Sequence, residues 1–236
     1  MQSVTSWALG QGLIEAHPLV RVPQDQLFNE EVDRKQPCLS LEEMRRFWRV
    51  ALEMNNQTAK VAAWLMLTGV RREAAHSAKW DEIDVRAREW TVPAERMKGR
   101  VGKKREHLVP LSGQAVEFLM SLPSRKYSPF LFPGMDRDRP ITITNNDQSD
   151  RVFRKAGIEG ATLHSLRRSI ATAMGDELGI PMDVTSAILA HSPRTRHGVT
   201  TEYDKAKRLD ERREALERRA DLLTGESGEG TARAGN

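Results

Sequence analysis

The sequence predicts an α+β domain, mainly α-helical, with a small three-stranded antiparallel sheet. Three observations lead there. Apolar residues recur at helical spacing through most of the chain beyond residue 40. Three short segments that alternate or carry β-branched residues lie close together at 83–85, 90–92 and 107–110. Capping and glycine signals separate the helical stretches.

The elements follow in order. Residues 3–12 have the pattern of a short helix, broken by His17-Pro18 through Pro23 ahead of a polar run to Gln36-Pro37. Residues 1–38 therefore read as a tail fragment plus linker. Ser40-Leu41-Glu42-Glu43 has the spacing of a capping box, and Leu41, Met44, Phe47, Trp48, Ala51 and Leu52 repeat at helical intervals. The compact domain is expected over 39–223. A second helix, 57–67, ends at Thr68-Gly69, where glycine can turn the chain, and 72–79 reads as another short helix. The strands follow, with a basic segment as one of their turns. Further helices are expected at 115–122, 147–156, 163–178 closed by Gly179, 181–190 opened by Pro181, and 201–223. Residues 224–236, rich in Gly, Ser, Glu and Thr, are expected to be disordered.

Composition narrows the function classes. The net charge is +4 and the pI about 9.4, but the basic residues are unevenly spread: Arg96, Lys98, Arg100, Lys103, Lys104 and Arg105 face one acid, Glu106, between 96 and 107. Such a segment suits a polyanion, and nucleic acid is the commonest one. Cys38 is the only cysteine, which rules out an internal disulfide and fits a reducing compartment. The longest apolar run, 61–67, is too short for a bilayer, so a soluble cytoplasmic protein is expected.

Six residues in chain order form a chemical inventory for work on a phosphodiester: Arg71, Lys98, His164, Arg167, His191 and Tyr203. Two guanidinium groups can clamp a phosphate, a lysine can donate a proton, histidines can share protons with phosphate oxygens, and tyrosine is a nucleophile. Each has a bland alternative. His164 and Arg167, about 60° apart beside the apolar stripe of Leu163, Leu166, Ile170, Ala173 and Met174, sit in a first helical turn after a capping Thr162, where an anion is favoured. A histidine and an arginine at that spacing also occur by accident in a basic chain. Arg71 follows a glycine turn and can point into a cleft, with Arg72 the better candidate for a solvated role. Among Lys98, Lys103 and Lys104 the residues alone do not choose. His107 reads as a strand residue with a structural hydrogen bond, and His191 stands at a helix carboxyl end, where a protonated imidazole is favoured and a plain C-terminal histidine is the alternative. Tyr203 has few apolar neighbours in sequence to explain it as core.

These residues sit in a run of motifs: Leu67-Thr68-Gly69-Val70-Arg71, Trp80-Asp81-Glu82-Ile83-Asp84, Trp90-Thr91-Val92-Pro93-Ala94-Glu95-Arg96-Met97-Lys98, His107-Leu108-Val109-Pro110-Leu111-Ser112, His164-Ser165-Leu166-Arg167, Leu189-Ala190-His191 and Tyr203. The run resembles the catalytic domain of the tyrosine recombinases, the phage-integrase family, and is most similar to prophage and genomic-island integrases. The resemblance covers about 39–203. It singles out Lys98 as the catalytic lysine. It also implies a 3′-phosphotyrosyl intermediate at Tyr203, Arg71 and Arg167 on the non-bridging oxygens, and Lys98 protonating the leaving 5′-oxygen. His164 would take the tyrosine proton and His191 would hydrogen-bond the phosphate.

The resemblance implies no metal and no cofactor. Arg72, Arg96, Arg100, Lys103, Lys104, Arg105 and Arg168 are expected DNA contacts. The implied partners are a double-stranded recombination site, further protomers (a tetramer on DNA, a monomer alone) and an accessory DNA-bending or directionality protein, in a bacterial cytoplasm at the nucleoid. A DNA-binding module without catalysis and a type IB topoisomerase-like relaxing enzyme are the alternatives.

Two features depart from the family's pattern. Ala74 stands where an acid commonly follows the first arginine, with Glu73 one position earlier. Residues 3–23 resemble only the last helix of a core-binding domain and its linker, so the chain is expected to be a fragment or a truncated form that binds DNA more weakly than a full enzyme.

Overall fold

The computed structural model describes residues 10–14, 37–97, 105–143, 147–190 and 202–225, with the backbone only at 147–148 and 202–207. The chain divides into a unit spanning Met1–Lys35, of which 10–14 form a helix end and turn, and a unit spanning Gln36–Asn236. The elements below belong to the second unit.

Ser40 opens helix α1 (Leu41–Glu53) through a complete capping box with Glu43. Asn56 caps α2 (Gln57–Thr68) by accepting from the Ala59 amide at 2.9 Å. Nearly every residue of α2 from Thr58 to Thr68 is buried. A helix apolar all round must be covered on all sides, and α2 is the central element of the core. Trp64 on α2 lies 5.3 Å from the Trp90 ring and 6.2 Å from that of Phe118, tying the helix to the sheet and to α4 (Gly113–Ser121). Phe47 and Phe153, with ring centroids 4.6 Å apart, join α1 to α5 (Asp147–Lys155).

The sheet has the predicted topology. Strands β1 (Ile83–Asp84), β2 (Glu89–Val92) and β3 (His107–Pro110) pair antiparallel in sequence order, with Ile83 opposite Trp90 and Thr91 opposite Leu108. Trp90, Val92 and Val109 turn inward and are buried. The short helix α3 (Arg72–His76) ends before the expected residue 79. Two contacts stop it: Ser77 Oγ bonds the Glu73 carbonyl at 2.6 Å, and Lys79 joins Phe130 in an antiparallel bridge.

Thr162 caps α6 (Leu163–Asp176) in a box with Ser165, and the helix closes through Gly179, whose φ is +61. Helix α7 (Met182–Ile188) is shorter than the expected 181–190, because Pro181 is its N-cap and the chain leaves helical geometry at Leu189 and Ala190. Helix α8 (Glu202–Thr224) then packs on α1, α2, α4, α7 and β3. It buries Ala215, Leu216, Ala220 and Leu223. Polar links fasten it: Arg213 to Glu89 at 3.0 Å, Gln114 to Asp221 at 2.7 Å, and Arg88 to Glu217. The expected disordered tail lies outside the described residues beyond 225.

Candidate active site

Three segments distant in sequence meet where α2 ends. Gly69 terminates α2 in the left-handed region, at φ +67, and a Cβ placed there would stand 3.4 Å from Leu189 Cδ2 and 3.5 Å from Ile188 Cγ2. Glycine thus serves both the turn and the close approach of the α7 carboxyl end. Arg71, two residues on, is the extended N-cap of α3, and its Nη1 and Nη2 donate to the Ala190 carbonyl at 3.4 and 3.3 Å. Arg167 comes from the first turns of α6. It is 5% exposed, and its two terminal nitrogens donate to the carbonyls of Gly69 and Leu189.

His107 on β3 completes the group, with Nε2 3.1 Å from the Ile188 carbonyl. A carbonyl can only accept, which assigns the proton to Nε2. Burial pushes the His107 pKa down to about 4; the hydrogen bond to Ile188 opposes the shift, and the nearby charges of Arg212, Arg167 and Arg71 add to it. The ring is therefore neutral at pH 7. Arg167 is lowered to about 9, chiefly by burial and then by the charge of Arg71, and remains protonated at neutral pH.

Arg71, Ala74, Arg96, His107, Arg167 and Ala190 are among the residues that line one cleft, and among the described residues no aspartate or glutamate contributes to its wall. Arg96 does not add a free charge to it. Its guanidinium pairs with Glu82 and donates to the Ser77 carbonyl. The cleft therefore presents two guanidinium groups held by neutral main-chain acceptors. A dianionic or monoanionic oxygen cluster is what such a site would attract.

The remaining expected residues are placed as follows. His164 and Arg168 are exposed on α6, whereas Arg167 belongs to its buried stripe, so His164 and Arg167 differ in environment more than their 60° separation suggests. Arg72 pairs with Glu73 at 3.0 Å. Burial alone would raise the Glu73 carboxyl, but hydrogen bonds from its backbone and from Arg72, with the Arg72 charge, hold it below the usual range. Glu73 thus serves Arg72 and not Arg71, and Ala74 is buried in the cleft wall. Arg105 is exposed beside β3. Tyr203 lies on the first turn of α8. Lys98, Arg100, Lys103, Lys104 and His191 lie outside the described residues.

Sequence reasoning missed the carbonyls of Ile188, Leu189 and Ala190, because main-chain acceptors carry no residue signature. It also missed Arg219, 1% exposed on α8, whose guanidinium nitrogens have no hydrogen-bond partner among the described residues.

The family model of the phage integrases matches residues 38–204. The chain belongs to the phage integrase family. Within it, this integrase-family chain is 32% identical to prophage integrase IntA of Escherichia coli (strain K12) over 228 residues, covering 94% of this chain and 52% of the relative. It is 33% identical to the integrase of Shigella phage Sf6 over 163 residues, 67% of this chain and 40% of that one. The chain spans about half, or less, of the length of these relatives. Among solved structures, the integrase from mycobacterium phage Brujita matches with a TM-score of 0.60 at 22% identity, over 93% of this chain and 69% of that one. A lambda integrase(75-356) dimer bound to a COC' core site matches at 0.55 and 16% identity, over 85% and 73%. These likenesses show the fold: a mainly helical integrase domain with a small antiparallel sheet.

Proposed function

We propose that this chain is the catalytic part of a site-specific DNA recombinase that cuts and rejoins strands through a 3′-phosphotyrosyl bond at Tyr203. The observation that carries it is the convergence of Arg71 and Arg167 on one cleft whose wall, among the described residues, holds no carboxylate. Family membership over 38–204 supports the same reading.

The chemistry then runs without an outside energy source. The Tyr203 oxygen attacks the scissile phosphorus, and His164 takes the phenolic proton. Arg71 and Arg167 hold the non-bridging oxygens as charge accumulates on them, a task suited to fixed planar donors. The 5′-oxygen departs with a proton from Lys98, while His191 hydrogen-bonds the phosphate. A 5′-hydroxyl of a partner strand attacks the phosphotyrosine to reverse the step, so the energy of the broken phosphodiester is kept in the protein link.

In this reading the catalytic domain occupies 39–223, and 1–38 is the end of a core-binding domain with its linker. Arg72, Arg100, Lys103, Lys104, Arg105 and Arg168 contact the DNA backbone, whereas Arg96 is engaged by Glu82. The partner is a double-stranded recombination site in a bacterial cytoplasm, at the nucleoid. The chain is a monomer alone and a tetramer on DNA, aided by an accessory DNA-bending or directionality protein.

The test uses the full-length parent and a nicked duplex bearing its site. A covalent adduct is expected, absent in Tyr203→Phe. A parent that binds the site yet forms no adduct would make this a binding module. Resolution of a synthetic Holliday junction is expected as well, and relaxation of supercoiled DNA without junction resolution would favour topoisomerase-like chemistry.

A further inference from the structure

Three successive carbonyls at the end of α7 are each taken by one side chain of the cleft. Ile188 O is bonded by His107 Nε2 at 3.1 Å, Leu189 O by Arg167 Nη2, and Ala190 O by Arg71 Nη1 and Nη2 at 3.4 and 3.3 Å. The last carbonyls of a helix have no partner within it, so they are free to be claimed by donors from elsewhere. Here strand β3, helix α6 and the turn after α2 all dock on that one end.

The end has an unusual terminus. Ala190 holds φ +47, in the left-handed region that non-glycine residues rarely occupy, and its amide closes the turn on the Ala187 carbonyl at 3.1 Å. This backbone turn aims the Ala190 carbonyl at Arg71. Among the described residues Arg71 has no carboxylate partner, the neighbouring Glu73 being engaged by Arg72. A carboxylate would orient Arg71 and also neutralise it. A carbonyl orients it and leaves the charge available.

We propose that Ala190 is a positioning residue: its left-handed turn places the carbonyl that holds Arg71 ready for the scissile phosphate, and the arriving phosphate takes over that hydrogen bond. The proposal rests on the reading of Arg71 and Arg167 as the phosphate clamp.

The experiment measures single-turnover adduct formation by the full-length parent on a nicked duplex, beside equilibrium binding to the intact duplex and thermal melting. Three variants grade the left-handed tolerance of the position: Ala190→Gly, Ala190→Asn and Ala190→Val. The glycine and asparagine variants are expected to cleave within about threefold of the parent, because both residues accept positive φ. Ala190→Val is expected to cleave ~10- to 100-fold more slowly while binding the intact duplex within about twofold, since misplacing a positioning contact affects the reacting geometry more than the bulk of the DNA contacts.

A second substrate separates positioning from simple loss of folded protein. With a methylphosphonate at the scissile position, one charged oxygen is gone and less depends on Arg71, so the ratio of valine-variant to parent rates should rise toward one. A valine variant that cleaves like the parent, or one equally impaired on both substrates, would overturn the proposal. If Ala190→Val melts too low to assay, Ala190→Thr, also β-branched and averse to positive φ, carries the same substrate comparison: slower cleavage that recovers on the methylphosphonate supports the proposal, and parental rates or equal impairment on both substrates overturn it. Arg71→Ala and Arg167→Ala in the same assay mark the other failure. If both cleave normally, the clamp reading itself is wrong, whatever the Ala190 series does.

Discussion

Arg167 donates to the carbonyl of Gly69 across 98 residues of sequence, and that bond ties the start of α6 to the end of α2 at the floor of the cleft. Gly69 sits in the left-handed region, at φ +67, where the chain turns out of α2.

Gly69→Ala is therefore expected to lower stability. A Cβ would meet its neighbours at 3.4 Å or more, so the cost comes mainly from the φ of +67. That strain is worth about 1 kcal/mol, or a fall of about 2–4 °C in Tm. Thermal melting checks it, and an unchanged or higher Tm would contradict the account.

Arg219 predicts the opposite sign. It is 1% exposed and its three guanidinium nitrogens lack hydrogen-bond partners among the described residues, while burial lowers its pKa to about 9. A buried charge without compensation opposes folding. Arg219→Met keeps most of the volume and removes the charge, and should stabilise the domain by about 1–3 kcal/mol in urea unfolding. Destabilisation of similar size would show that the charge has a partner in solution.

Arg88 and Glu217 lock the C-terminal helix to the β1–β2 turn. Arg88 holds φ +57 and bonds the Leu111 carbonyl at 3.2 Å, and Glu217 also accepts from the Gly113 amide at 3.0 Å. Both side chains are about a third exposed, so solvent screens the pair. Glu217→Gln should cost no more than about 1 kcal/mol. Arg88→Gly should be nearly neutral, because relief of the left-handed strain, about 1 kcal/mol, offsets the lost pair. A double-mutant cycle measures the coupling.

His107 should make stability depend on pH on the acid side. Its folded pKa, about 4, lies below the ordinary 6.5, so the unfolded chain binds the proton first as pH falls. The contribution is whole above pH 6.5 and is lost progressively toward pH 4. It amounts to at most about 3 kcal/mol. His107→Gln, which retains a donor for the Ile188 carbonyl, should flatten the Tm profile between pH 6.5 and 4. A parallel profile would count against this assignment.

Most of the fold was legible from local rules. The Ser40 capping box, the Thr162 cap and the alternation around Trp90 and Val109 act within a few residues, and all appear in the structure. The lengths of α3 and α7 were not legible. Contacts made across the fold end these helices early, the Lys79–Phe130 bridge in one case and the left-handed turn at Ala190 in the other.

For the site, side-chain type in order along the chain was enough to pick out Arg71 and Arg167, because a phosphate clamp needs guanidinium groups and little else supplies them. What those groups rest on was decided only by tertiary structure. Their acceptors are the carbonyls of Gly69, Leu189 and Ala190, which every residue possesses and no sequence pattern marks. Sequence by itself determined the periodicities, the caps and the chemical inventory. Only the packed fold could decide which backbone oxygens face the cleft, that Glu73 turns to Arg72, and that Arg219 is buried with no partner among the described residues. The reason is range: propensities and caps act over one helical turn, whereas the partners in the cleft lie up to 119 residues apart.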